Sequence, residues 1–265
     1  MKKILFIICL ICLFSVVSNA HDLFLKLDDY FLVEKSKALV KVLNGTFQNS
    51  DGAVKLEGLR DISLITPDSK LIHPELPSWR RENTTSLFDL ETVPSGNYVI
   101  GISTKLRDIE LKAKDFNGYL EHDGIPDILA QRKTEGELNK DVKEKYSKHV
   151  KAIFQSGKLH TDSFKSPLNY PVEIIPQQNP YVLKTGENIE VQCLLDGKPI
   201  NNQLVVAGCD SLSKSLEVRT NTKGIASFPL KASGKWYVKF IYMEPSKEPG
   251  FNYESKWASL TFAIK

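Results

Sequence analysis

The chain has 265 residues, 42% of them hydrophobic, and its 35 Lys and Arg against 32 Asp and Glu leave a formal net charge of +3. The length suggests two modest domains. So even a charge balance excludes the strongly basic surface that nucleic acid or an anionic membrane would select.

Lys2 and Lys3 precede an apolar run from Ile4 to Val17 that is too short to span a bilayer comfortably. Ser18-Asn19-Ala20 then places small residues where a signal peptidase reads. Residues 1–20 are therefore expected to be a secretory signal peptide, and His21 the new N-terminus. No later apolar run is long enough to cross a membrane. The mature chain is expected to be periplasmic or secreted, with no transmembrane segment and no nucleic-acid partner.

From His21 to about Lys114 the chain reads as strands. Leu23, Leu25 and Leu27 alternate with Phe24, Lys26 and Asp28, and turn signals such as Pro94-Ser95-Gly96 recur at short intervals. From Asp115 to Gln155 the spacing of Val142, Tyr146, Val150 and Ile153 predicts helix, with His149 on the same stripe, Asn139 as N-cap and Gly157 as stop. Residues 158–170 read as a polar linker. Strand patterns return from Val172, with Asp196-Gly197 as a hairpin turn, and close in long alternating runs through Trp236 and Trp257. The expected fold is mainly β with a helical insertion. An N-terminal β-sandwich domain covers 21–165, with its helical segment at about 115–157, and a C-terminal β-sandwich domain covers 166–265.

Of four cysteines, Cys9 and Cys12 lie in the signal segment. Cys193 and Cys209 remain as a disulfide candidate in an oxidising compartment, or as two buried thiols that pack as small hydrophobes.

A chain that starts at His21 carries an α-amine and an imidazole on one residue, which can close a chelate ring on a late transition metal. Such ligand nitrogens must be deprotonated, so affinity should fall as the pH drops through the ordinary imidazole pKa of about 6.5. The other histidines, His73, His122, His149 and His160, show no paired-ligand spacing, so a metal site must be assembled across the fold. His122, in Glu121-His122-Asp123-Gly124, is a further candidate ligand if that turn is irregular. No Gly-x-Ser-x-Gly elbow and no phosphate-binding glycine loop occurs, so the expectation is a protein without enzymatic activity.

Several strings together resemble a known family. They are His21-Asp22-Leu23-Phe24-Leu25, Asn44-Gly45-Thr46-Phe47, Tyr119-Leu120 with Gly124, and Glu144-Lys145-Tyr146-Ser147-Lys148. They continue with Pro171-Val172-Glu173-Ile174-Ile175-Pro176, Asn179-Pro180-Tyr181 and the ending Tyr253-Glu254-Ser255-Lys256-Trp257-Ala258-Ser259-Leu260-Thr261-Phe262. In order and content they are similar to a secreted bacterial family known as domain of unknown function 4198, whose members are often described as periplasmic components of nickel or cobalt uptake. The resemblance implies immunoglobulin-like or transthyretin-like β-sandwiches and export. It also implies nickel or cobalt as cargo and a metal-uptake membrane permease as partner; copper and zinc are further metals that amine and imidazole nitrogens take on their chemistry alone. Glu254, in the best-matching string, is the third candidate ligand beside His21 and His122. Where many members carry His-Met, this chain has Tyr242-Met243. Two functions are therefore expected: a non-enzymatic transition-metal binder for uptake, or a cell-envelope β-sandwich module that binds a protein or glycan without metal.

Overall fold

A computed structural model describes residues 21–265. The expected signal peptide, with Cys9 and Cys12, lies outside the described residues. Nine strands come first: β1 (Asp22–Leu27), β2 (Phe31–Leu32), β3 (Ser36–Gly45), β4 (Leu59–Ile65), β5 (Leu71–Ile72), β6 (Arg80–Glu82), β7 (Thr85–Thr92), β8 (Gly96–Thr104) and β9 (Arg107–Leu111). Two helices follow, α1 (Ala113–His122) and α2 (Pro126–Thr134). The rest is again strand: β10 (Val142–Ser156), β11 (Val172–Pro176), β12 (Asn188–Leu195), β13 (Lys198–Pro199), β14 (Leu204–Cys209), β15 (Leu216–Arg219), β16 (Ile225–Pro229), β17 (Gly234–Pro245) and β18 (Tyr253–Ile264).

The mainly β architecture with a helical insertion matches the expectation from the sequence; the extent of the helix does not. Residues 142–156 form β10, the longest strand among the described residues. The reason is arithmetic. Val142, Tyr146 and Val150 are four apart, an even interval that keeps them on one face of a strand just as it does on a helix. Ile153 and His149, read onto the same stripe, lie on the opposite face. Asn139 caps no helix, and Gly157, at φ +66°, turns the chain out of β10. The helix that does form before it is amphipathic in the usual way, burying Phe116, Tyr119 and Leu120 on one side of α1. Pro126 begins α2, where its missing N–H costs nothing.

The strands make three sheets. The outer sheets are β1-β3-β7-β6 and β11-β12-β13 with β16 on β12. Between them runs a ten-stranded sheet in the order β15-β14-β17-β18-β10-β8-β4-β5, with β2 and β9 also on β10. Alternation along β10 divides the core. Val150, Ala152 and Phe154 pack with Leu25, Val40 and Phe88 of the first outer sheet. Ile153 packs on the other face, in a core with Ile174 and Val191 of the second outer sheet and Phe262 of β18. The large sheet is thus the shared layer of two sandwiches. It crosses the parting at 165, because β10 and β18 pair in parallel from Glu144↔Tyr253 to Ala152↔Thr261. Full burial of side chains such as Trp236, Phe88 and Phe228 contributes about 1.5–3 kcal/mol each.

Two further details correct the sequence reading. The segment 158–170 is packed, with Phe164, Leu168 and Tyr170 buried in the second sandwich core. Cys193 and Cys209 form no disulfide; both are buried free thiols, one on each sheet of that core.

Candidate functional site

The first outer sheet and the α1–α2 hairpin both sit on one face of the large sheet, the sheet over Val150, Ala152 and Phe154 of β10 and the helices over Val142. A pocket of about 460 Å³ opens between them, within the usual range for small-molecule sites. Its floor is β10 and β18. Even-numbered residues of β10 point into it, so Glu144, Tyr146 and Lys148 line it together; from β18 comes Trp257. Arg107 of β9, Lys55 and Tyr119 of α1 also line it, and His21, the half-exposed residue before β1, stands at its mouth. Glu144 and Lys148 belong to one of the family-like strings and Trp257 to another. The parallel register sets Lys148 directly opposite Trp257.

The deep end is a carboxyl held by hydroxyls. Ser255 Oγ and Tyr119 Oη both donate to Glu144 Oε1, the latter at 3.3 Å, and Trp257 Nε1 donates to Ser255 Oγ at 3.0 Å. Burial disfavours the charged carboxylate more than these donors favour it, and the pKa of Glu144 rises to about 7. Tyr119 stacks on Trp257 with ring centroids 5.6 Å apart and planes 7° from parallel.

Towards the mouth lies a buried cation. Lys148 Nζ sits 4.9 Å from the Trp257 ring centre and donates to the carbonyl oxygen of His21. Burial pulls its pKa down to about 8; Asp22 opposes that shift, and Arg107 adds to it by like-charge repulsion. Next to it, Lys239 of β17 bridges Asp22 and Asp123, the second at 3.5 Å. Burial works against the charge on Lys239, yet the two carboxylates hold its pKa above the ordinary lysine value. Burial also pushes Asp123 up to about 6. This bridge pins β1 and the end of α1 to the large sheet and so places His21.

The three metal ligands expected from sequence do not converge. His21 lines the pocket mouth, with its Nδ1 3.1 Å from Asp51 Oδ2. His122 lines a separate hollow of about 250 Å³ with Gly124, Tyr237 and Lys239, beyond the Asp22–Lys239–Asp123 bridge. Glu254 lies on the opposite face of β18 from Trp257, and its carboxylate is taken by Lys256 at 2.7 Å. Among the described residues no three side chains of His, Cys, Asp or Glu come together as a donor cluster. Two histidines pair with a carboxylate: His73 Nδ1 with Asp61 Oδ1 at 2.8 Å, away from the pocket, and His21 with Asp51, the pair that lies at it. His149 is likewise no ligand in waiting. It is buried on the far face of β10 between the Ser103 and Ser147 hydroxyls, at 2.9 and 3.0 Å, and burial lowers its pKa to about 4.

Arg107, Glu144, Lys148 and Trp257 escaped the sequence reading as site residues. For Glu144, Lys148 and Trp257 the only signal was the family-like strings, whose pairing could not be seen without the fold; for Arg107 there was none. Among the described residues no helix is long and apolar enough to cross a membrane.

Among solved structures, similar chains include the D0–D1 domain of intimin, at 12% identity over 92% of this chain and 98% of that one, with a TM-score of 0.21. The human OSCAR ligand-binding domain is 11% identical over 93% and 100%, with a TM-score of 0.22. A two-domain fibronectin type-III segment of chicken tenascin is 12% identical over 91% and 97%, with a TM-score of 0.23. No curated protein matches. Residues 18–244 match the family described as Domain of unknown function (DUF4198), and the chain belongs to that family.

Proposed function

We propose that this protein is an exported, non-enzymatic binding protein of the cell envelope, and that its cargo is a transition metal of the nickel or cobalt class. The observation that carries the reading is the pair of His21 Nδ1 and Asp51 Oδ2, 3.1 Å apart at the mouth of the pocket. Processing before His21 would add an α-amine to the same residue. Amine, imidazole and carboxylate then make an N2O donor set of the kind that nickel, cobalt, copper and zinc accept. Three protein donors leave coordination positions for water or for a ligand handed over by a membrane permease. His122 and Glu254 have no part in this set.

The test is calorimetry with nickel and cobalt on protein that begins at His21. Nickel binding that weakens at least about tenfold in Asp51→Asn, and that is lost when one residue is added before His21, supports the reading. Equal affinity in all three proteins overturns it.

A further inference from the structure

We propose that the pocket beneath His21 binds a small organic carboxylate with an apolar body, its carboxylate held by Lys148 and Arg107. The site goes beyond the metal reading, and its chemistry does not depend on a metal.

The strongest observation is Lys148. It is 8% exposed, and among the described residues the His21 carbonyl is its one hydrogen-bond acceptor. An ammonium has three protons to donate. No carboxylate of the described residues lies within ion-pair distance of Lys148, although every other buried lysine has such a partner: Lys151 has Glu173 and Lys239 has Asp22 and Asp123. A buried charge is normally paired, because desolvation without a partner is strongly unfavourable. Here the side open to the cation is the cavity.

Arg107 adds a second positive charge, from an exposed position at the pocket. It lines the same pocket, close enough to Lys148 to repel it, and makes no ion pair among the described residues. Its guanidinium lies against Gly58, where a Cβ would collide with it. Two neighbouring cations without a counter-charge favour an anion between them. Glu144 does not supply that charge. Its hydrogen bonds run to Ser255 and Tyr119 at the deep end, four residues along β10 from Lys148.

The rest of the lining sets the ligand's body. Leu23, Val54, Ile109 and Leu111 give apolar walls, and Trp257 with Tyr119 an aromatic end. Inorganic phosphate would satisfy the cations and leave these walls wet. A carboxylate on a short alkyl chain or a single ring satisfies both.

The experiment is calorimetry on the full exported chain, freed of metal with EDTA, with hexanoate, benzoate and phenylpropionate as probes. Neutral benzamide and sodium phosphate are the controls. The expected result is one-to-one binding of at least one carboxylate, with benzamide and phosphate each about tenfold weaker or more. Lys148→Met should weaken the carboxylate at least about tenfold and Arg107→Met several-fold. Arg107 is exposed, so its variant keeps the fold and decides the matter if Lys148→Met does not fold. Absence of binding by all three carboxylates, equal binding of benzamide or phosphate, or unchanged affinity in Arg107→Met overturns the proposal. None of these outcomes touches nickel affinity at His21, so the two readings stand or fall separately.

Discussion

Glu144 and Lys148 share one face of β10, both buried in the same pocket, and make no ion pair with each other. On a helix residues four apart are neighbours; along a strand they are about 13 Å apart. Each charge therefore meets its own surroundings.

Glu144 is left to hydroxyl donors and to burial, and its pKa rises to about 7. A carboxyl whose folded pKa lies above its unfolded value binds its proton more tightly when folded. The stability this provides is complete below about 4.5 and is lost as the pH rises through 7. Glu144→Gln should therefore abolish a part of the pH dependence. Relative to the parent, the variant gains about 2–3 kcal/mol between pH 5 and pH 8. Urea denaturation at those two pH values checks it; a constant difference between parent and variant would contradict the assignment.

His149 should behave in the opposite sense. Burial, with Arg60 and Lys256 nearby, lowers its pKa to about 4. A histidine with a depressed folded pKa gives stability that is present above about 6.5 and is lost as the pH falls through 4. The imidazole should stay neutral at pH 5 in the folded protein, as read by its NMR shifts. A resonance that titrates near 6.5 would mean that the ring is solvated.

Lys151 and Glu173 are a buried ion pair, 2.9 Å apart, on the far side of the same strand. Glu173 also accepts from the backbone N–H groups of Leu168 and Tyr170, so it ties the packed segment before β11 to β10. Lys151→Met leaves that carboxylate charged and buried, and should cost about 3–5 kcal/mol. Lys151→Met with Glu173→Gln should recover part of the loss, because a neutral amide is cheaper to bury than a lone charge. Thermal denaturation of both variants reads this directly.

These buried charges also explain what the sequence hid. The strands of the outer sheets were legible because apolar residues alternate cleanly, as Leu23, Leu25 and Leu27 do. β10 was not, because both of its faces are covered and its ionisable residues point into pockets or to partners on either side. Binary alternation disappears where polar groups are buried on purpose, and the even spacing of Val142, Tyr146 and Val150 then passes for a helix. His21 was legible as a site residue from the local pattern before it. Arg107, Lys148 and Trp257 come from three strands far apart in sequence, and only the β9-β10-β18 register joins them.

The two cysteines give a chemical check on the core. Burial raises the pKa of both thiols, so neither forms the reactive thiolate readily. In the exported chain, Ellman's reagent without reductant should titrate two thiols on denaturation, and Cys193 should not react while the fold is intact. No thiol in denaturant would mean that a disulfide had formed.

The bridge of Asp22, Lys239 and Asp123 makes the sharpest case for pH dependence. One buried ammonium serves two carboxylates, and it is what fixes His21 at the pocket mouth. Lys239→Met removes the ammonium that both carboxylates contact. At pH 8 Asp123 is charged, and the loss should be about 3–5 kcal/mol. Asp123 already has its pKa raised to about 6 by burial, so at pH 5 it holds a proton. That charge is then gone, and the loss at pH 5 should be clearly smaller. Replacing Asp123 with Asn in the Lys239→Met protein should leave the pH 5 value unchanged and bring the pH 8 value down to it. Urea denaturation of both variants at the two pH values decides it: an equal loss at pH 5 and pH 8 would show that Asp123 stays ionised at pH 5.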